Sequence, residues 1–154
     1  MTGAEKIQAF VDKYGQDLLT ALKGSQFYFP VIVAQMCLES GYGTTNVAKM
    51  YNNFSGIRNL SGHVPLSIGA SPDSNKYAIY ATPADYFKSH IAVVSAARYR
   101  AAGVFTATTP EEQLLAIANG GYCEDPPRPI DYYNAIDPIM QKVKKMYPTT
   151  GKIT

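Results

Sequence analysis

The sequence predicts a mainly α domain of about six helices with one small irregular or β-hairpin lobe, and three observations carry that prediction. Apolar residues recur at three- and four-residue steps near both ends of the chain. Capping residues, often followed by Pro, stand at the head of the periodic stretches. Asn, Ser, Gly and Pro are concentrated between Tyr51 and Tyr80, where helical periodicity is lost.

Taken in order, the opening segment sets Ile7, Phe10, Val11, Tyr14, Leu18 and Leu22 on one stripe of a helix. Thr2 and Glu5 have the spacing of a capping box, and Lys23-Gly24 supplies a cationic last turn and a left-handed stop. A second helix is predicted from Pro30, whose fixed φ suits the first turn, through Glu39. It is apolar nearly all round, so it belongs at the centre of the domain with every face covered. Gly41 and Gly43 end it in a turn, and leave room for a ligand beside Glu39.

Residues 51–80 read as a long loop with a hairpin built from the short alternating stretches 63–68 and 76–80. Thr82-Pro83 opens a helix that carries Phe87, Ile91, Val94 and Ala97 and stops by Gly103. Thr109-Pro110-Glu111-Glu112 reads as a full capping box before Leu114, Leu115, Ile117 and Ala118. After Asn119-Gly120-Gly121 a Pro-rich loop through Pro129 leads to a final helix with Ile136, Ile139, Met140, Val143 and Met146. Pro138 is expected to kink or re-initiate that helix, because it lacks an N–H and crowds the carbonyl one turn back.

The composition narrows the function. The 154 residues carry 14 Lys and Arg against 12 Asp and Glu, a thin and scattered surplus of +2 that does not suit a nucleic-acid module. With 46% hydrophobic and 17% charged residues the chain has material for one sizeable core, and one domain over 1–154 is expected. No apolar run approaches the roughly 20 residues of a membrane span, so no membrane insertion is expected. The first residues lack the basic start and apolar block of a secretory signal. Cys37 and Cys123 are too few for a disulfide framework, and His63 and His90 stand at no zinc-ligand spacing with them, so neither a metal nor another cofactor is expected. There are 12 Tyr and no Trp, which leaves tyrosine as the main amphipathic ring for a binding surface.

Glu39 is the most informative residue. It is the only acid between Asp17 and Asp73, and it closes the most apolar helix. Burial and the negative end of the helix dipole both disfavour its carboxylate, and no Lys or Arg nearby in sequence offsets them, so its pKa should be raised. A carboxylic acid that stays protonated near neutral pH is what a general acid requires, and protonation of a glycosidic oxygen is a common task for one.

Ala34-Gln35-Met36-Cys37-Leu38-Glu39-Ser40-Gly41-Tyr42-Gly43 resembles the segment around the catalytic acid in glycoside hydrolase family 73, the N-acetylglucosaminidases of bacteria and phages that cleave peptidoglycan. Asn52-Asn53-Phe54-Ser55-Gly56-Ile57-Arg58 is similar to that family's Asn-Asn-x-Phe-Gly-Ile-Lys loop, with Phe one place earlier and Ser55 before the glycine. Tyr80 followed by Asp85-Tyr86, and Gly121-Tyr122-Cys123-Glu124-Asp125-Pro126, resemble two further blocks in the same order, and together they cover roughly residues 5–147. The resemblance implies a lysozyme-like fold with a cleft between a helical lobe and the 51–80 lobe. It carries the acid to Glu39 and the essential tyrosine to Tyr122, which would support the reacting sugar or its acetamido group.

A glycosidase must also meet the positive character left on the anomeric carbon, with a second carboxylate or with the substrate's own 2-acetamido oxygen. Relatives often carry a Glu in the hairpin lobe, whereas residues 40–110 here contain none. Asp73 is the acid available in that lobe, with turn chemistry as its alternative role. Tyr42, Asn53, Phe54 and Tyr80 are the candidate sugar contacts, with core packing and turn capping as the alternatives for Phe54 and Asn53. Lys142, Lys144 and Lys145 read as a solvated helix face. The expectation is a monomeric hydrolase of peptidoglycan glycan strands that cuts on the N-acetylglucosamine side, released through a holin or carried by a phage or secretion apparatus. Its rivals are a muramidase or lytic transglycosylase of the same fold and a catalytically silent wall-binding module.

Overall fold

The computed structural model describes residues 1–123, 128–148 and 151–153. Their helices are α1 (Gly3–Leu22), α2 (Phe29–Glu39), α3 (Asn46–Tyr51), α4 (Pro83–Val94), α5 (Ala97–Ala101), α6 (Pro110–Asn119) and α7 (Pro129–Met146), with strands β1 (Gly69–Ala70) and β2 (Ala78–Ile79) between α3 and α4. The predicted class is the observed one: a mainly helical fold with a small two-stranded antiparallel hairpin. No helix among the described residues is long and apolar enough to cross a membrane.

α2 occupies the centre, as its all-round apolar character requires. Every residue from Phe29 to Cys37 is buried, against α1, α6 and α7. α1 starts at the Thr2–Glu5 capping box and turns at Gly24, which adopts φ 75. α7 is joined to α6 by an ion pair between Lys144 and Glu111, so this lysine is not part of a purely solvated face.

The structure exceeds the expected number of helices for local reasons. α3 is one short helix, capped by the Thr45 hydroxyl and ended by Asn52 at φ 52. The helix predicted from Thr82 to Gly103 breaks into α4 and α5 at Ser95, whose hydroxyl turns back onto the Ile91 carbonyl at 2.6 Å and competes with the helical ladder. At the start of α6 the Thr109 hydroxyl accepts from the Glu112 N–H, but the Glu112 carboxylate takes the N–H and hydroxyl of Thr108 instead of closing the predicted box on Thr109. Pro138 neither ends nor restarts α7, which runs unbroken from Pro129 to Met146. Pro138 and Asn134, one turn before it, are both exposed, so the carbonyl left without a donor is open to water.

The irregular lobe contains the expected hairpin, with its first strand at 69–70 instead of 63–68. Pro65 has no N–H for a ladder, Leu66 adopts φ 63, and the 64–67 segment closes as a turn from Ser67 N–H to the Val64 carbonyl. Asn53 locks the loop beneath it. Its Oδ1 accepts from the N–H groups of Ser55, Gly56 and Ile57, and its Nδ2 donates to the carbonyls of Ile57 and Ala78. Phe54 is fully buried and stacks on Phe87, with Phe10, Tyr14 and Tyr86 around it, so this ring fastens the lobe to α1 and α4.

Candidate active site

The packing of the lobe against the helices leaves a cleft of about 650 Å³. Loop residues 55–58 and Tyr80 form one wall, α4 and α5 form the other, and Glu39 and Tyr122 lie within it. Glu39 closes α2 and is partly buried, so the central helix delivers its last residue to the cleft. Burial pushes its carboxyl up from an ordinary value of 4.5 to about 8, against the opposing pull of hydroxyl groups from Tyr122 and Tyr132. Tyr122 Oη donates to Glu39 Oε1 at 3.1 Å and lies 3.3 Å from Oε2, and Tyr132 Oη donates to Oε2 at 3.2 Å. Burial first, and the Glu39 charge second, raise both phenols well above their usual range, which keeps them protonated donors.

Of the residues singled out in the sequence, the fold brings Glu39, Tyr122 and Tyr80 to one cleft. Tyr122 meets Glu39 directly, and its hydroxyl holds the acid. Tyr80 is buried at the wall with its hydroxyl on Ser89. Asn53 and Phe54 are structural residues of the lobe, buried at 1% and 0% exposure, and neither borders the cleft. Tyr42 also lies outside the cleft lining, half-buried against the core with the Lys6 ammonium over its ring. Asp73 is exposed, outside the cleft lining, and tied into its own turn. It accepts from the Ser71 hydroxyl at 2.8 Å and the Asn75 N–H at 3.0 Å, which hold its carboxyl below the usual range. Glu124, Asp125 and Pro126 of the fourth motif lie outside the described residues. Among the described residues of the cleft, Glu39 is the only carboxyl.

Gly41 and Gly43 adopt φ 55 and 80 but do not line the cleft. A Cβ on Gly43 would stand 2.8 Å from the Tyr14 ring, so this glycine serves the close approach of the turn to α1 and not ligand space. Cys37 is buried in α2 and Cys123 borders the cleft, and the two are not joined by a disulfide.

Sequence reasoning did not reach Gln35, His90 or Tyr132. Gln35 lies one turn before Glu39, fully buried in an otherwise apolar helix, and an amide in that setting must find partners. That was the available signal. Its Nε2 donates to Tyr132 Oη at 2.9 Å, and its Oε1 meets His90 Nε2 at 3.1 Å. Burial pushes His90 down to about 4, so the imidazole is neutral at neutral pH.

A partly buried acid at the end of a central helix, facing a cleft between a helical body and a small hairpin lobe, is the layout of a lysozyme-like glycosidase. Comparison with known proteins gives the particular family. The glucosaminidase family model, described as mannosyl-glycoprotein endo-beta-N-acetylglucosaminidase, matches residues 15–145. The chain belongs to the glucosaminidase family, and is therefore a glycoside hydrolase of the class that acts on bacterial cell wall.

Solved structures share the fold. The glycoside hydrolase domain of FlgJ from Salmonella typhimurium is 22% identical, with a TM-score of 0.71 over 96% of this chain and 92% of that one. A chain of a type VI secretion system effector–immunity complex from Pseudomonas protegens is 22% identical, with a TM-score of 0.61 over 88% and 94%. The catalytic domain of the autolysin Auto from Listeria monocytogenes is 19% identical, with a TM-score of 0.62 over 89% and 87%. A search of curated proteins gave no match.

Proposed function

We propose that the protein is an endo-β-N-acetylglucosaminidase of peptidoglycan, which cuts the β-1,4 bond on the N-acetylglucosamine side with Glu39 as proton donor. The observation that carries this reading is the placement of Glu39. Its carboxyl faces a cleft among tyrosines, and burial raises it to about 8, so the acid still holds its proton at neutral pH. Family membership supports a scissile bond beside N-acetylglucosamine.

In the first step the Glu39 proton passes to the glycosidic oxygen as its bond to C1 breaks, and the departing sugar leaves with a hydroxyl. The oxygen of the substrate's 2-acetamido group bonds to C1 and forms an oxazolinium ion. Water then adds to C1, the Glu39 carboxylate takes its proton, and the acetamido oxygen leaves, which restores the acid. Substrate assistance is supported by Glu39 being the only carboxyl among the described cleft residues and by Asp73 lying in its own turn away from the cleft. Tyr122 and Tyr132, which donate to the Glu39 oxygens, stabilise the carboxylate between the two steps. The proposed setting is the bacterial cell wall, reached by way of a phage or secretion apparatus, a route supported by the shared fold with the type VI complex.

The test is digestion of purified sacculi with mass spectrometry of the products. Reducing-end N-acetylglucosamine is expected from the parent, and no release from Glu39→Gln. Anhydro-muramic ends would assign the activity to a lytic transglycosylase, reducing-end muramic acid to a muramidase, and failure of the parent to cleave any wall would leave a binding module.

A further inference from the structure

We propose that Gln35, Tyr132 and His90 are positioning residues that form a one-way hydrogen-bond relay aimed at Glu39, and so fix which face of its carboxyl presents the proton to substrate. The inference rests on the reading of Glu39 as the acid. Three helices contribute to the relay: Gln35 stands one turn before Glu39 on α2, His90 is on α4, and Tyr132 is on α7.

The relay has a single direction, from His90 through Gln35 and Tyr132 to the acid. His90 is buried and neutral, so it carries one N–H. It meets the amide oxygen of Gln35, which can only accept, so the proton lies on His90 Nε2. The Gln35 amide nitrogen can only donate, and it donates to Tyr132 Oη. With its oxygen so engaged, Tyr132 turns its hydroxyl hydrogen to Glu39 Oε2. Tyr122 donates to Oε1, so each oxygen of Glu39 receives a phenol hydrogen from the protein side. The position left for the acidic proton is the one that opens to the cleft.

A buried amide, phenol and imidazole are costly groups to place in a core, and an all-apolar contact would pack there without that cost. What the polar set adds is orientation. The chain of donors also strengthens the last donor in it, because each accepted hydrogen bond polarises the next hydroxyl.

The variants that test the relay are Tyr132→Phe and Gln35→Met, each close in shape to the residue it replaces. The readout is the pH dependence of kcat/KM above pH 6 on soluble glycan strands. Among the described residues, the other titratable or charged groups around Glu39 are Tyr122, Tyr80 at the wall, Tyr86 from α4, Tyr99 and Arg98 from α5, Arg58 from the loop, and Cys123. Loss of the Tyr132 donor withdraws support from the carboxylate, so Tyr132→Phe is expected to move the alkaline limb up by about one pH unit and to lower kcat roughly tenfold, with KM little changed. Gln35→Met, which keeps the phenol but removes its donor, shifts the limb in the same direction by less.

A second readout is the 15N spectrum of His90, expected to show the Nε2–H tautomer throughout neutral pH. An unmoved limb in both variants, or an Nδ1–H tautomer, overturns the relay while Glu39→Gln remains inactive. Cleavage by Glu39→Gln at the parent's rate would instead overturn the reading of Glu39 itself, and the relay with it.

Discussion

Replacement of Glu39 by Gln should make the protein more stable relative to the parent as the pH rises, and the size of the effect follows from the site. Burial lifts the carboxyl from 4.5 to about 8, so between those values the folded chain holds a proton that the unfolded chain has released. Stability then falls with rising pH, because the folded state binds more protons than the unfolded one. The cost is absent below the unfolded value and complete once the pH passes the folded one. At about 1.4 kcal/mol for each factor of ten in proton affinity, the whole effect is about 5 kcal/mol. Between pH 5 and 8.5 the change is about 4 kcal/mol, which is large against the 5–15 kcal/mol typical of a domain. The amide of Gln does not titrate, and it keeps an oxygen for the tyrosine hydroxyls. Urea unfolding of both proteins at the two pH values measures the difference, and since His90 and every other group are common to both, their titrations cancel. The stability advantage of Glu39→Gln is expected to grow by several kcal/mol from pH 5 to 8.5, or roughly 10 °C in Tm. An advantage that stays constant with pH would refute the raised pKa and the argument from burial on which it rests.

Tyr122→Phe removes the hydroxyl shared by both Glu39 oxygens and should lower kcat by about tenfold to a hundredfold with an upward shift of the alkaline limb, read from kcat/KM against pH. Asp73→Asn should leave sacculus hydrolysis within about twofold of the parent, because its carboxyl serves a turn outside the cleft; a loss comparable to that of Glu39→Gln would make Asp73 the second carboxylate. Asn53→Ala withdraws a buried side chain that satisfies three N–H groups and two carbonyls, and should destabilise the fold by about 2–4 kcal/mol in urea unfolding. His90 acts in the opposite sense to Glu39. Its folded value of about 4 lies below its ordinary 6.5, so the parent should lose stability as the pH falls from about 6.5 to 4, and His90→Gln should lose less, as measured by Tm against pH.

How much of this was legible in the sequence depended on how local the determinants were. The stripe of α1, the largely buried α2 and the Thr-Pro starts of α4 and α6 rest on residues within a turn or two of each other, and the chain alone revealed them. The raised Glu39 carboxyl was legible for the same reason, because the burial of its helix could be inferred from its own residues. The Ser95 break was missed, since it is decided by what a side chain meets after folding. The sugar-contact roles considered for Phe54 and Asn53 depended on which way a loop residue turns, and tertiary packing turned both inward. Tyr132 lies 93 residues from Glu39, and nothing local links it to the acid.

The central helix explains why structural and chemical roles coincide at this site. A surface helix would end in water, and its last glutamate would ionise near 4.5. α2 is buried from Phe29 to Cys37, so its C-terminal residue emerges in the interior wall of the cleft, where desolvation and the helix dipole act in the same direction. The two tyrosine donors act against them. The result is an acid near the working pH, able both to give up a proton and to take one back from water, as a two-step glycosidase requires. Stronger burial without the phenols would hold the proton too tightly to release it, and more donors would leave a carboxylate with nothing to give. On this account the chemistry depends on the balance between the packing of α2 and two hydroxyl groups supplied by distant parts of the chain. Changes to either side should therefore move the pH profile before they abolish the fold.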